Sequence, residues 1–138
     1  MQTEKKEATD LIEAITRGMQ AKKAQDICLL NLQHIDGAVA KYFIICSARA
    51  KNQVEAIAEA VIEVSYQHTA QSPWQQEGRA AKEWTLIDYV DVVVHIFHAE
   101  KRSFYALDTL WGDAAAVSVI GECGTFNRST TELNTLKL

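Results

Sequence analysis

Two carboxylates in the second half of the chain come nearest to a catalytic pair. Asp88 and Asp91 lie between two apolar runs rich in β-branched residues. A two-metal site for nucleotidyl transfer needs carboxylates on one face of a strand, and hence an even spacing, to hold Mg²⁺ between them. The spacing here is three and crosses an expected turn, where aspartate is favoured. We therefore interpret both as turn residues and expect neither a catalytic residue nor a metal site.

The histidines, serines and cysteines offer no catalytic arrangement either. His95 and His98 are three residues apart in an apolar run, so on a strand their side chains leave opposite faces and share no metal. Ser47 lacks the G-x-S-x-G context of a nucleophile, and the chain has no glycine-rich phosphate loop. Cys28 and Cys46 lie in apolar runs without a CxxC pair, which predicts reduced, buried thiols. We expect no enzyme and no cofactor.

Acidic and aromatic residues are concentrated between residues 83 and 100. This stretch contains Trp84 and Tyr89 and four acids, but neither Lys nor Arg. The acids are Glu83, Asp88, Asp91 and Glu100. Acids beside large aromatics are typical of a docking face for a basic protein, because aromatics supply contact area and charges raise the association rate. An alternative stays open, in which the acids lie at hairpin ends and the aromatics in the core.

Hydrophobic periodicity predicts the elements that must position these residues. Apolar residues recur at three- and four-residue intervals in three segments, which predicts helices over 4–20, 51–67 and 100–112. Short apolar runs predict strands over 26–32, 42–46, 84–89 and 92–97, with a weak one at 75–77. Several strands are apolar on both faces, which is typical of a sheet covered on both sides. The pattern predicts a layered α/β (α+β) domain with a mixed sheet of about five strands flanked by helices.

Length and composition limit the remaining possibilities. The 138 residues fit a single domain, which we place at 1–116, followed by a loosely ordered tail at 117–138 that is rich in Ser and Thr. Residues 114–120 are apolar enough to dock on the domain. The net charge of −4 opposes direct binding to DNA and favours a basic protein surface. The chain has neither a membrane-spanning run nor a signal peptide, so we expect a cytoplasmic protein.

Four segments of the chain resemble the ribosomal silencing factor (RsfS/Iojap) family. They are Lys23 to Ile27, Tyr42 to Ile45, Glu77-Gly78 with Glu83 to Phe97, and Arg102 to Trp111. The resemblance runs from about residue 5 to residue 114. Its most specific part is a Trp, the run D-Y-V-D-V-V-V-H and the run R-S-F-Y-A-L-D-T-L-W, in that order.

The resemblance implies a factor without enzymatic activity that binds the large ribosomal subunit. Members of this family dock on its fourteenth ribosomal protein, block joining of the small subunit and lower translation when nutrients are short. Their fold is related to nucleotidyltransferases but lacks the catalytic carboxylates, and they often form homodimers off the ribosome. The implied contact residues are Trp84, Asp88, Tyr89 and Asp91, with Arg102 and Tyr105 as weaker candidates. Two alternatives stay open, a divergent nucleotidyltransferase-like enzyme and a homodimeric adaptor for another partner.

This chain departs from the family pattern near the two central strands. Lys41 stands where the family usually has Asp, and Ala48-Arg49-Ala50 stands where it usually has Gly-Thr-Ser. Both changes make that edge more basic. Val90 occupies a turn position where the family prefers Gly. Because a β-branched residue is costly at positive φ, we predict a negative φ for Val90.

Overall fold

A mixed six-stranded sheet organises the domain, with two helices packed on one of its faces. The computed structural model describes residues 2–33, 37, 40–100 and 115–120. The elements in chain order are α1 (Gln2–Ala21), β1 (Gln25–Asn31), β2 (Tyr42–Ala48), α2 (Lys51–Thr69), β3 (Gln75–Glu77), β4 (Trp84–Asp88), β5 (Val92–His98) and β6 (Ala115–Ile120). The strand order is β3-β4-β5-β2-β1-β6. The central strands β2 and β5 are parallel, and the other neighbours are antiparallel.

This architecture confirms the predicted fold class and adds a strand to it. The sequence indicated only that residues 114–120 dock on the domain, whereas Ala115–Ile120 forms β6 and pairs with β1. The boundary drawn after residue 116 therefore falls inside a strand. The helix predicted over 100–112 and the tail from residue 121 lie outside the described residues.

The central strands are buried on both faces, as their apolar composition predicted. On β5, Val92, Val94 and Ile96 face the core that the helices cover. The alternate residues Val93, His95 and Phe97 face the other way and are also buried. The helical side of the core comes mainly from one stripe on each helix. The stripes are Leu11, Ile15 and Met19 on α1, and Val54, Ile57 and Val61 on α2.

Gly18 lies inside α1, at the closest approach of the two helices. Glycine is a poor helix former, yet α1 continues past it to Ala21. A Cβ atom at this position would lie 2.9 Å from both the Ala60 oxygen and the Val61 Cα atom. The glycine therefore serves contact between helices, which local helix propensity does not register.

The cysteines follow the prediction only in part. Cys46 is a free, buried thiol as expected. Cys28 is also buried but is disulfide-bonded, which contradicts the expected reduced state; its partner lies outside the described residues. An apolar run predicts burial, but it does not tell whether the fold brings a second cysteine within bonding distance.

Within the described residues, neither helix combines the length and the apolar character that spanning a bilayer requires.

Candidate partner-binding surface

Three half-buried side chains line one face of β4, the face turned away from the helices. Trp84, Leu86 and Asp88 alternate with the buried residues Thr85 and Ile87, so they share this outer face. Trp84 and Asp88 were predicted as contact residues, whereas Leu86 was not. The strict alternation from Trp84 to Asp88 is the sequence signal that would have identified it. The structure thus places an aromatic, an aliphatic and an acidic side chain in line.

The neighbouring strands extend this line of side chains sideways. On β3, Glu77 lies directly opposite Leu86, and Gln75 lies opposite Asp88. On β5, His95 lies opposite Leu86. Directly opposed residues have Cβ atoms about 5 Å apart, so Leu86 lies within reach of Glu77 on one side and of His95 on the other. We call Trp84, Leu86, Asp88 and Glu77 the outer face of β4.

Trp84 is held in place by the aromatic side chains of β5. Its indole Nε1 donates a hydrogen bond to Nδ1 of His95 at 3.0 Å. Its ring stacks on Phe97 with the centroids 5.2 Å apart and the planes inclined by 20°. These contacts set both the position and the tilt of the indole.

Asp88 combines a structural role with a charge at the end of the hairpin. Its Oδ1 accepts the backbone N–H of Val90 at 2.7 Å, the bond of an Asx-type turn. The interpretation as a turn residue is therefore confirmed. The backbone oxygen of Asp88 accepts the N–H of Trp74 at 2.7 Å, which ties the strand to the segment before β3.

Val90 adopts a φ of +80°, so the prediction of a negative φ was wrong. The turn has only two residues between Tyr89 and Val92, and it is closed by the Tyr89 N–H donating to the Val92 oxygen at 2.9 Å. A two-residue hairpin that matches strand twist requires positive φ at one or both loop positions. The requirement of the hairpin therefore overrides the preference of the valine side chain.

Asp91 is exposed at the same turn and contacts the start of β2. Its backbone oxygen accepts the N–H groups of Lys41 at 2.9 Å and Tyr42 at 3.0 Å. Its carboxylate lies 3.9 Å from Nζ of Lys41, and both side chains are about half exposed. An exposed ion pair at this separation contributes little to stability. Lys41, a departure from the family pattern, thus lies beside one of the predicted contact acids.

Tyr89 belongs to the core, although it was predicted as a contact residue. Its side chain is 7% exposed and packs in the cluster that the helices cover. Its hydroxyl forms a 2.7 Å hydrogen bond with Oγ of Ser65 on α2. Burial raises the pKa of this hydroxyl. For Tyr89, therefore, the alternative of an aromatic in the core describes the structure, while Trp84 stays at the surface.

The loop before β4 fixes the position of Trp84 at the start of that strand. Gly78 has a φ of +80°, and a Cβ atom there would collide with the backbone oxygen of Trp84. The next residue, Arg79, pairs with Glu55 on α2, with Nε and Oε1 3.2 Å apart. The hydrogen bond from Arg79 is the main reason why the pKa of Glu55 is lowered. Together, the close approach and the ion pair hold the loop against both β4 and α2.

The described residues form no metal site. No group of three His, Cys, Asp or Glu side chains in that part of the chain is close enough to hold an ion. Asp88 belongs to the outer face of β4, whereas Asp91 lies in the turn beside Lys41. Arg102 and Tyr105, the weaker contact candidates, lie outside the described residues.

Comparisons with known proteins agree with this fold. Residues 5–135 match the model of the protein family described as "Ribosomal silencing factor during starvation". The ribosomal silencing factor RsfS of Bacillus subtilis is 42% identical over 93 residues, which cover 67% of this chain and 77% of the relative. That of Halalkalibacterium halodurans is 36% identical over 112 residues, 81% of this chain and 94% of the relative. The family match continues past residue 116.

A solved structure supports the same relationship. A crystal structure of a protein from Bacillus halodurans aligns with this chain with a TM-score of 0.66 and 34% identity. The alignment covers 75% of this chain and 94% of the other. The likeness therefore extends over most of both folds.

Proposed function

The chain belongs to the ribosomal silencing factor family, and from this membership we propose that it binds the large ribosomal subunit and keeps the small subunit from joining. The proposed receiving surface is the fourteenth ribosomal protein of the large subunit. The consequence is reduced translation when nutrients are limiting. This action requires occupancy and steric overlap, with no chemical step.

The outer face of β4 is the observation that carries this proposal. Trp84 and Leu86 present aromatic and aliphatic surface, and Asp88 adds a carboxylate at the end of the line. Asp91 adds a second, exposed carboxylate at the adjoining turn. Partly exposed aromatics are the usual energetic centres of protein interfaces, and flanking acids accelerate association with a basic protein. Bare RNA phosphate would repel the same surface.

The contact residues of the proposal follow the structure. Trp84, Asp88 and Asp91 make the contact, and Leu86 lies between the first two. Tyr89 contributes from the core, where its bond to Ser65 anchors the turn to α2. An interface of about 800 Å² per partner is usual for a stable complex, and the outer face of β4 would form its centre.

The family also suggests the setting in which the protein acts. We propose the cytoplasm as its location and a homodimer as its form when it is not bound to ribosomes.

Among the residues that the structure describes, no observation favours the enzymatic alternative. A nucleotidyltransferase needs carboxylates that converge on Mg²⁺, but Oδ1 of Asp88 accepts a backbone N–H and the carboxylate of Asp91 faces Lys41. The relatives described above are named as silencing factors. Titration calorimetry with a nucleoside triphosphate and Mg²⁺ separates the two functions, because metal-dependent binding would favour the enzyme.

Co-sedimentation with purified large subunits tests the proposal. The wild-type chain should comigrate with large subunits at low salt. The double variant Asp88→Asn/Asp91→Asn keeps a carbonyl oxygen at both positions, so the turn bond to Val90 persists while two charges are lost. Because these charges steer association, we expect the double variant to associate with large subunits roughly tenfold more slowly than the wild type. Its association rate should also depend less on salt.

A second double variant controls for the change in net charge. Asp10→Asn/Glu63→Gln alters two exposed acids on the helices and changes the net charge by the same amount, from −4 to −2. This control should associate at the wild-type rate. Wild-type protein that stays at the top of the gradient would refute the function, whereas equal rates for all three proteins would refute the placement of the surface alone.

A further inference from the structure

The hydrogen bond between Trp84 and His95 suggests a role for a buried histidine that the proposed function leaves unused. We propose that His95 is a positioning residue: its Nδ1 accepts the indole N–H, fixes the ring and restricts Trp84 to partner contacts through indole carbon atoms. The inference rests on the proposed function, since it concerns how Trp84 meets its partner. The bond is 3.0 Å long and joins neighbouring strands.

The protonation state of His95 suits the role of acceptor. The side chain is 3% exposed, and burial lowers its pKa to about 3. The ring is therefore neutral at the pH of a cell, with one nitrogen that accepts and one that donates. Since Nδ1 accepts from the indole, Nε2 carries the proton.

The geometry around His95 leaves it little freedom to turn. Phe43 meets its ring edge-on with the centroids 4.5 Å apart, and Trp84 lies on another side at 5.9 Å. A ring packed in this way presents Nδ1 in one direction. The acceptor is therefore in place before any partner binds.

The second ring nitrogen of His95, Nε2, lowers the stability of the fold. Nε2 is buried and has no hydrogen-bond partner within the described part of the chain. A buried donor without a partner destabilises a fold, and an apolar side chain at this position would avoid that penalty. An unsatisfied buried group calls for an explanation, either a functional role or a bound water or ion. The function that the geometry offers is the bond from Nδ1 to Trp84.

The hydrogen bond to His95 also limits the kinds of contact that Trp84 can make with a partner. An indole has a single hydrogen-bond donor, and here His95 occupies it. Trp84 therefore selects for an aliphatic or cationic side chain, such as the stem of a lysine or arginine against the ring, and not for a hydrogen-bond acceptor. Asp88 on the same face of β4 favours the same cationic partner group.

Binding to large subunits in a double-mutant cycle tests this role. His95→Leu removes the acceptor and should weaken binding roughly three- to tenfold, the usual range for one lost neutral hydrogen bond. His95→Asn places a carbonyl oxygen near the former Nδ1 position and should stay within about twofold of wild type. Trp84→Phe removes the donor, so in this background His95→Leu should have no further effect.

Two controls separate positioning from general destabilisation. Ile57→Val shortens a core side chain on α2, on the opposite face of the sheet from His95, and should lower stability while leaving affinity unchanged. Nuclear magnetic resonance follows the indole proton of Trp84 directly, since the chain has three tryptophans and Trp84→Phe identifies its signal. Exchange of this proton with solvent should be slow in the wild type and in His95→Asn and fast in His95→Leu.

The outcomes separate this inference from the proposed function. Unchanged affinity in His95→Leu, or an equal loss in the Trp84→Phe background, would overturn the positioning role while the function stands. Absence of wild-type binding to large subunits would overturn the function and the contact role of Trp84 together.

Discussion

At the scale of single residues, the hairpin turn after β4 serves two requirements at once. Asp88 caps the turn through the Val90 N–H and also places a carboxylate on the outer face. Val90 adopts a left-handed φ that its branched side chain disfavours. Tyr89 turns inward and bonds to Ser65, which fixes the hairpin to α2. The turn is thus held by its neighbours, and its local strain persists.

Replacing Val90 by glycine should stabilise the protein. The positive φ costs a branched residue about 1 to 2 kcal/mol, and glycine avoids this cost. Glycine also increases the conformational entropy of the unfolded chain, which lowers the free energy of unfolding by about 0.5 to 1 kcal/mol and offsets part of this gain. We expect the free energy of unfolding of Val90→Gly to rise by about 0.5 to 1 kcal/mol in urea denaturation. Val90→Ala keeps a Cβ atom at the strained position and should gain less; a loss of stability in Val90→Gly would contradict the strain.

The buried His95 should make stability depend on pH. Its pKa is about 3 in the folded protein and 6.5 in the unfolded chain, so between these values only the unfolded state binds the proton. Stability therefore falls as the pH decreases below about 6.5. From about pH 6.5 to about pH 5, we expect a loss of about 1.5 kcal/mol in the free energy of unfolding.

The variant His95→Asn isolates this effect in urea denaturation at several pH values. Asparagine does not titrate, so the loss over that range should disappear. Glu55, whose pKa is lowered by Arg79, contributes stability that is lost only at lower pH, below the chosen range. An equal slope in both proteins would show that another group is responsible.

At the scale of elements, the contact between α1 and α2 depends on the absence of a side chain at Gly18. The backbone of α2 at Ala60 and Val61 lies where a Cβ atom would be. The helices approach closely enough there to cover one face of the sheet with a continuous core. Helix α2 also anchors the segments on either side of β4, through Ser65 to Tyr89 and through Glu55 to Arg79.

Gly18→Ala should therefore destabilise the fold, although alanine is the better helix former. The gain in helix propensity is about 1 kcal/mol. Forcing a methyl group against a packed backbone costs about 1 to 3 kcal/mol. We expect a net loss of about 1 kcal/mol in thermal or urea denaturation. Gln20→Ala, at an exposed position of α1, should be close to neutral, and a stabilised Gly18→Ala would refute the close approach.

At the scale of the whole molecule, silencing by occupancy needs only a rigid body held in the path of the small subunit. The sheet provides this rigidity, because the parallel strands β2 and β5 pair along their whole length at its centre. The hairpin acids Asp88 and Asp91 lie at one end of these strands, where Asp91 pairs with Lys41. A molecule that docks by the outer face of β4 keeps its helices, which cover the opposite face of the sheet, away from the receiving protein.

Subunit joining should therefore stop without any energy source. In a mixture of purified small and large subunits, saturating protein should prevent the formation of whole ribosomes when no nucleoside triphosphate is present. The Asp88→Asn/Asp91→Asn variant should require a higher concentration for the same block. Whole ribosomes that form despite saturating wild-type protein, followed by light scattering or gradient centrifugation, would refute the steric mechanism.

Much of this protein follows from the sequence because helix and strand periods are local properties. The spacing of Leu11, Ile15 and Met19 predicts α1, and the apolar run of β5 predicts a strand buried on two faces. The family resemblance rests on the same contiguous runs, so the comparisons confirm it. The turn role of Asp88 also follows from its residue type and position.

Which of these side chains lie at the surface and which are buried depends on the tertiary structure. Trp84 stays half-buried at the surface because His95 and Phe97 hold it there, while Tyr89 is drawn to Ser65 on a helix distant in sequence. The positive φ of Val90 and the close approach at Gly18 likewise depend on partners that are remote or paired across a turn. These features depend on packing between elements, and no local pattern of residues predicts them.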